Sequence, residues 1–390
     1  MCDVIGKAQA LSRRNFLAAA GTIAAVGTAG MAGARPAHAD GTDNKPIRGD
    51  RVVLLGTGGG PVWWHARKGT SSAVVVGDRR YLVDCGEGVG SQYRAAGLGP
   101  EYPKMALGLE AIFLTHLHTD HTIDYNNMLL FGYTNGLALR DRKLQVYGPG
   151  DRGVLPEVFG PPPTAPLPII NPDRPTPGTV DMTASLIAAF AQDINTRIRD
   201  ERRGDPRDLF DVHDIVVPAA LHLDPNADPS PDMDPVPVYE DECVRVTAIL
   251  NLHRPVFPSF AFRFDTDSGS VVFSGDTAPC RNVVRLARGA DTLVHEVIDA
   301  AWVASLFPEP RTPAQQGLYL HLLGSHTTIE DVGKVAEQAG VDTLVLNHLV
   351  PGDNPPSRWR KAARGFSGRL VVGTDLMQLP LSRRRLRGGT

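Results

Sequence analysis

His116-Leu117-His118-Thr119-Asp120-His121 places four potential metal ligands within six residues, directly after the apolar run 111–114. An apolar run that stops in such a polar hexapeptide reads as a β-strand delivering a turn, and side chains can converge at a strand's end. Imidazole nitrogen and carboxylate oxygen suit zinc, and the lack of thiolate keeps manganese and iron open. A single histidine there would be ordinary packing. Four such groups without a cation would be a poorly compensated cluster.

The same placement recurs downstream. His253 follows the run 244–250, Asp276 sits in Ser274-Gly275-Asp276-Thr277 just after 271–273, and His348 follows 344–346. Singly, each has a bland explanation as a turn aspartate, a cap or a surface histidine. Jointly they lie where strands end, which is where α/β sites gather.

Upstream, the run 52–55 enters Gly56-Thr57-Gly58-Gly59-Gly60, and the runs 73–76 and 81–83 predict a hairpin across Gly77-Asp78. A further strand at 144–147 is stopped by Gly148-Pro149-Gly150, and 123–131 reads as helix. Strands also fall at 260–264, 271–274, 292–294 and 343–346, with helical stretches at 282–287 and 328–339, and 370–372 as the strand that ends the sheet. Such alternation indicates an α/β protein with helix-covered sheets. Residues 151–240 differ, being proline-rich at 161–177 and again, with acidic residues, at 225–237. Between these, Met182, Leu186, Phe190, Ile194 and Ile198 recur every fourth residue and predict one amphipathic helix. The block reads as an insertion packed beside the core domain. No internal repeat is evident.

The 390 residues are 42% hydrophobic and 21% charged, a globular composition that excludes disordered, fibrous and polytopic membrane classes. Ser12-Arg13-Arg14-Asn15-Phe16-Leu17, the weakly apolar stretch 17–34 and Ala37-His38-Ala39 together form an export signal of twin-arginine type. Residues 1–39 would be cleaved after Ala39, so the expected partner is the twin-arginine machinery and the expected location is periplasmic or secreted. Residues 40–390 then form the domain. The formal charge of −3 includes +3 from residues 1–39, leaving an acidic body of −6. That balance sets the expectation of no nucleic-acid partner. Cys85, Cys243 and Cys280 have no regular spacing and form no disulfide framework. The tail Arg383-Arg384-Arg385 with Arg387 reads as a solvated basic end.

The Gly-Thr-Gly start, Val83-Asp84-Cys85-Gly86-Glu87-Gly88, the H-x-H-x-D-H turn, Ser-Gly-Asp-Thr and the late histidine resemble the metallo-β-lactamase superfamily. His295-Glu296 and Ser325-His326-Thr327-Thr328 resemble its ribonuclease Z and arylsulfatase-like branch, with the likeness spanning 51–147 and 243–372. The resemblance implies a four-layer αββα sandwich with two divalent metals at one edge. His116, His118 and His253 would hold the first, Asp120, His121 and His348 the second, and Asp276 would bridge them. Cations roughly 3.5–4 Å apart repel unless anions lie between, and a bridging carboxylate and hydroxide supply that charge, the hydroxide being the nucleophile. Asp120 would take the proton of the bridging water. His326, oriented by Glu296, would help the leaving group. Asp84 would brace the ligand turn, and His295 would be structural. His65, His213, His222 and His321 lack ligand-like spacing and read as solvated or packing residues, and Trp63-Trp64 with Arg67 as surface or packing residues that could line a pocket.

The leading expectation is therefore an exported dinuclear hydrolase acting on a small-molecule sulfate or phosphate ester, arylsulfatase-like. A ribonuclease Z-type phosphodiesterase is the alternative, and a lactonase or β-lactamase-like hydrolase a further one. A homodimer is left open.

Overall fold

Arg51–Gly56 (β1) turns Val52 and Leu54 to one face and Val53 and Leu55 to the other, and all four are buried. A strand apolar on both sides belongs to a sheet covered on both sides, and this requirement sets the architecture. The computed structural model describes residues 47–158, 165–218, 221 and 223–383, which fall in one compact unit, Asn44–Thr390. The expected export signal, His222 and Arg384, Arg385 and Arg387 lie outside the described residues.

The remaining strands of the first half are Ser71–Val76 (β2), Arg79–Val83 (β3), Leu109–Phe113 (β4), Leu144–Pro149 (β5) and Phe210–Ile215 (β6). The second half gives Val236–Glu240 (β7), Val244–Leu250 (β8), Phe260–Thr266 (β9), Ser270–Phe273 (β10), Thr292–Ile298 (β11), Thr343–Val350 (β12), Arg369–Val372 (β13) and Met377–Pro380 (β14). Among the described residues these make two seven-stranded sheets, in the orders β14-β1-β2-β3-β4-β5-β6 and β13-β12-β11-β10-β9-β8-β7. Each sheet is antiparallel on one side and parallel on the other, with the change at β3 in the first and at β10 in the second.

The helices are Val89–Ala95 (α1), Thr119–Thr122 (α2), Tyr125–Thr134 (α3), Thr179–Ala189 (α4), Ala191–Asp200 (α5), Arg281–Ala287 (α6), Ala300–Leu306 (α7), Pro313–Gly324 (α8), Ile329–Ala339 (α9) and Pro356–Trp359 (α10). Val89 and Tyr93 of α1 and Tyr125, Met128 and Leu129 of α3 cover the outer face of the first sheet, packing with Val53, Leu55 and Ile112. Val52, Leu54, Val74 and Phe113 face inward against Val246, Phe262 and Phe264 of the second sheet, whose cluster also takes in Leu286 of α6 and Val332 and Val335 of α9. The Phe113 ring lies 5.2 Å from Phe264 and 5.5 Å from Phe262, between the sheets. Each such buried side chain contributes roughly 1.5–3 kcal/mol. The layers are helix, sheet, sheet, helix, as the resemblance implied. No helix among the described residues is long and apolar enough to cross a membrane.

Four local readings change. The single helix over 182–198 is two, because Phe190 (φ −98°, ψ 14°) leaves helical geometry. Met182, Leu186 and Ile187 pack on the core whereas no residue of α5 is buried, so the two pieces follow different surfaces. The block 151–240 also supplies β6 and β7, an edge strand for each sheet, and Asp211, His213 and Asp214 had masked the alternation of β6. The chain does not stop its strands at β13 but crosses to the first sheet as β14, paired antiparallel with β1, a four-residue strand ending in proline and too short to read. Finally, β11 runs through Ile298, so His295 and Glu296 lie within a buried strand instead of after it.

Candidate metal centre

The hexapeptide turn leaves β4 and is held from the neighbouring strand end. Asp84, just past β3, accepts hydrogen bonds from the Thr115 backbone N–H at 2.8 Å and the Thr115 hydroxyl at 2.9 Å, and its Oδ2 lies 2.9 Å from His121 Nδ1. A carboxylate only accepts, so His121 Nδ1 carries the proton and its Nε2 faces the opposite way. That Nε2 is 3.3 Å from Asp276 Oδ1 and 3.5 Å from Asp120 Oδ2.

The second sheet meets the turn with single residues. His253 follows β8, and its Nδ1 donates to the Ser325 carbonyl at 3.0 Å, which turns Nε2 toward His118 Nδ1 at 3.3 Å. Asp276 follows β10 on a turn at Gly275, whose φ of +59° favours glycine and where a Cβ would come within 2.7 Å of the Phe260 carbonyl. His348 lies inside β12. Glu296 pairs with Asn347 and Val297 with Leu349, leaving His348 as the extra residue of a β-bulge at φ +43°. Bulges re-aim side chains beside sites, and here the ring is sent over Gly59, where a Cβ would lie 2.3 Å from His348 Nδ1.

Two four-residue groups result. His116, His118, His253 and Asp276 have donor atoms within 4.8 Å of one another, as do Asp120, His121, Asp276 and His348, and Asp276 belongs to both. His118 and Asp120 are half-buried and the other five are buried. The structure therefore brings together all seven residues named from the sequence as candidate ligands.

The donor chemistry fits cations. His121 Nε2 and Asp276 Oδ1 are buried without a hydrogen-bond partner although they face each other. Burial pushes the pKa values of His116 and His253 well below the ordinary histidine range, so both rings are neutral and offer lone pairs. Burial acts the same way on His121 and His348, but Asp276 and its neighbouring carboxylates outweigh it and hold both above that range. Asp120 is shifted upward by burial and downward more strongly by His121 and His348, ending below the usual carboxylate range. Asp276 ends well below it for the same reasons. The site thus combines two neutral rings, His116 and His253, with persistent anions and with two rings, His121 and His348, whose protons the carboxylates hold and a bound cation would displace.

Beside the two groups, Glu296 Oε1 accepts from Thr277 N–H at 2.9 Å and Thr327 N–H at 3.2 Å and lies 3.0 Å from His326 Nδ1. His326 Nδ1 is also 3.9 Å from Asp276 Oδ2. His295 is buried with Nδ1 2.8 Å from the Glu296 carbonyl. His213 stacks on Tyr147 at 4.7 Å, a packing role, and His65 is exposed. His321 was given no place at the site, yet its ring lies 6.2 Å from His253 and 6.3 Å from His326. Helix spacing alone could not show that, because α8 returns toward the site only in the fold. Gly60 was also missed. Its N–H donates to Asp120 Oδ2 at 3.0 Å, and a backbone donor leaves no side-chain signal. Cys85, Cys243 and Cys280 are all free. A cleft of about 810 Å³ between α3 and α5 contains none of the candidate ligands.

The same fold occurs in known structures. A metallo-β-lactamase-fold protein of Bacillus subtilis matches with TM-score 0.52 and 17% identity over 85% of this chain and 98% of that one. The short form of human tRNase Z matches with TM-score 0.52 and 20% identity over 85% of this chain and 99% of that one. Fold and donor groups together define a protein of the metallo-β-lactamase fold with candidate metal-binding groups. No family model matches the chain. Ribonuclease Z of Mycobacterium bovis, however, is 34% identical over 337 residues, 86% of this chain and 99% of that protein. Ribonuclease Z of Mycolicibacterium paratuberculosis is 34% identical over 331 residues, 83% of this chain and 96% of that protein. The chain belongs to the ribonuclease Z family.

The expectation of no nucleic-acid partner is overturned by these relatives, whose name is that of a ribonuclease. Net charge is a sum over the surface, while a polyanion meets only a local patch. The groove of about 540 Å³ between α6 and α9 shows how mixed a local surface can be: Arg281, Arg285, Arg288 and Lys334 line it together with Asp232 and Asp331, which pair with Arg285 and Lys334.

Proposed function

We propose that the chain is a dinuclear metal-dependent phosphodiesterase that cleaves RNA. The observation that carries it is the Glu296–His326 pair set against the shared Asp276, in a chain related to ribonuclease Z along 86% of its length. His116, His118, His253 and Asp276 would hold one cation and Asp120, His121, Asp276 and His348 the other, zinc being the first choice and manganese or iron next. When bound, such a pair supplies an activated water and positive charge where negative charge develops.

The chain's own groups do the rest. Asp120, aimed by the Gly60 N–H at Oδ2, stays ionised and is the carboxylate placed to accept a proton. His326 is the proton donor to the leaving oxygen. Burial disfavours its imidazolium, but Glu296 at 3.0 Å, with Asp276 and Asp120 behind it, outweighs burial and pushes its pKa up to about 9. Cations would neutralise the two aspartates and leave Glu296 as the group that keeps the ring charged. Glu296 is itself fixed by the Thr277 and Thr327 amides, so it positions the donor.

The test is zinc-loaded protein on a transfer-RNA precursor, beside aryl sulfate, bis-aryl phosphodiester, lactone and β-lactam substrates. Chelator-sensitive RNA cleavage is expected. Intact RNA alongside robust turnover of an aryl sulfate would overturn the reading and restore the sulfate-ester expectation.

Export is part of the proposal. Arg13-Arg14 ahead of Phe16-Leu17, and Ala37-His38-Ala39, support a signal over residues 1–39 and a location outside the cytoplasm. Mass spectrometry of the protein recovered from cells should find Asp40 at the N-terminus, and recovery with Met1 would refute the processing.

A further inference from the structure

Trp63 is 97% exposed, on a loop that is otherwise tied down at nearly every residue. Gly58 N–H donates to the Lys68 carbonyl at 2.9 Å, closing the loop at its base. Gly60 N–H donates to Asp120 Oδ2 at 3.0 Å, and Val62 N–H to the Gly60 carbonyl at 2.8 Å. The next residue, Trp64, turns inward. Its indole N–H donates to the Gly59 carbonyl at 2.7 Å, and its ring meets Trp302 of α7 edge-on at 6.2 Å. Behind it, His65 N–H reaches Asp353 at 3.2 Å, and the half-buried Arg67 guanidinium donates to the Gly352 and Gly373 carbonyls at 2.7 and 2.8 Å.

Two adjacent tryptophans are thus treated oppositely. Trp64 builds the loop, while Trp63, the largest kind of apolar side chain, stands in water. Scattered exposed apolar residues need no explanation. A fully exposed indole on a braced loop whose third preceding residue hydrogen-bonds a candidate metal ligand calls for one. Gly60 and Trp63 are three Cα steps apart, at most about 11 Å, so the Trp63 backbone stays within about a nucleotide or two of a bond cleaved at the centre. Rigid bracing also means that little conformational freedom is lost when a planar group lands on it.

We propose that Trp63 is a stacking platform for an unpaired base flanking the scissile phosphate, and so sets a preference for cleavage next to single-stranded RNA. The proposal rests on the RNA phosphodiesterase reading above. Every base offers a π-face, so stacking tolerates sequence. A base inside a duplex already has both faces covered, so the platform discriminates by pairing and not by identity.

The experiment compares wild type, Trp63→Ala and Trp63→Phe on an RNA with an unpaired base beside the cleaved bond and on the same RNA abasic at that nucleotide. Trp63→Ala should lower kcat/KM on the first RNA about tenfold to a hundredfold, the range expected for one stacked base. Wild type should fall to the Trp63→Ala level on the abasic RNA, on which the variant itself loses nothing further. Trp63→Phe should recover part of the loss, with metal content and thermal midpoint unchanged in both variants. Quenching of indole fluorescence by a non-cleavable oligonucleotide, present in wild type and absent in Trp63→Phe, reads the contact without turnover. Equal activity of wild type and Trp63→Ala on both RNAs overturns the platform and leaves the phosphodiesterase reading standing. Failure of wild type to cleave or bind any RNA overturns both.

Discussion

The two sheets contribute to the centre in different ways. The first delivers His116, His118, Asp120 and His121 on one turn after β4, braced by Asp84 from the next strand end. The second delivers His253, Asp276, Glu296 and His348 one at a time, from β8, β10, β11 and β12. Parts of the first set are neighbours in sequence and need only a strand and a turn to meet. The second set spans 96 residues, from 253 to 348, and meets only if the strand register is right. A one-residue slip in a strand would turn its side chains to the opposite face. The lesson is that a local set depends on its brace, and a dispersed set depends on the packing of the whole sheet.

The sharpest way to break this comparison is Asp276→Ala, because Asp276 alone belongs to both donor groups. Both ions and all activity above background should be lost together, whereas His253→Ala or His348→Ala should each weaken one site. Metal analysis by mass spectrometry checks this, and two retained ions in Asp276→Ala would sink the shared-ligand arrangement. Next in size is His326→Ala, which should keep both metals and lower kcat by about 10²–10⁴-fold, the usual worth of a general acid. The loss should grow with poorer leaving groups, so an equal loss across a leaving-group series removes His326 from that role. Asp84→Asn tests the brace of the local set. It weakens the acceptor for Thr115 and His121 and should lower metal affinity by about 10–100-fold. Chelator competition measures it, and unchanged affinity would mean that the turn holds itself.

The smallest effect is a displacement in pH. The donor form of His326 is the imidazolium, and its pKa lies up to about 9. Activity that needs this form should decline as pH rises through the His326 pKa, which lies below that value in metal-loaded protein because cations neutralise the Asp276 and Asp120 contributions. Glu296→Gln removes the negative partner, lowers the His326 pKa and should move the basic limb of the kcat profile to lower pH. An unmoved limb would show that Glu296 does not set the protonation of His326.

Much of the frame was legible because its strands are buried on both faces. Runs such as Val52-Val53-Leu54-Leu55 can hardly be anything other than strands of a covered sheet once flanked by glycine turns. The edges were not legible. β6 alternates with Asp and His, and β14 has only four residues, because an edge strand carries fewer buried side chains and hence a weaker pattern. The break at Phe190 was hidden for a related reason. Helical periodicity is a property of the chain, but where a helix bends is decided by the surface it lies on.

The sequence by itself determined which chemistry could occur, since ligand type and strand-end position are local properties that picked out the candidate donors of an α/β protein, and the family resemblance added the Glu296–His326 pair and the αββα frame. Net charge, also read from sequence, misled about the partner because a sum carries no position. Tertiary structure alone decided that a bulge aims His348 across Gly59, that a backbone N–H orients Asp120, and that Trp63 stands free while Trp64 is packed. Each of these depends on distances between residues far apart in the chain, and such distances are fixed by the packing of the two sheets.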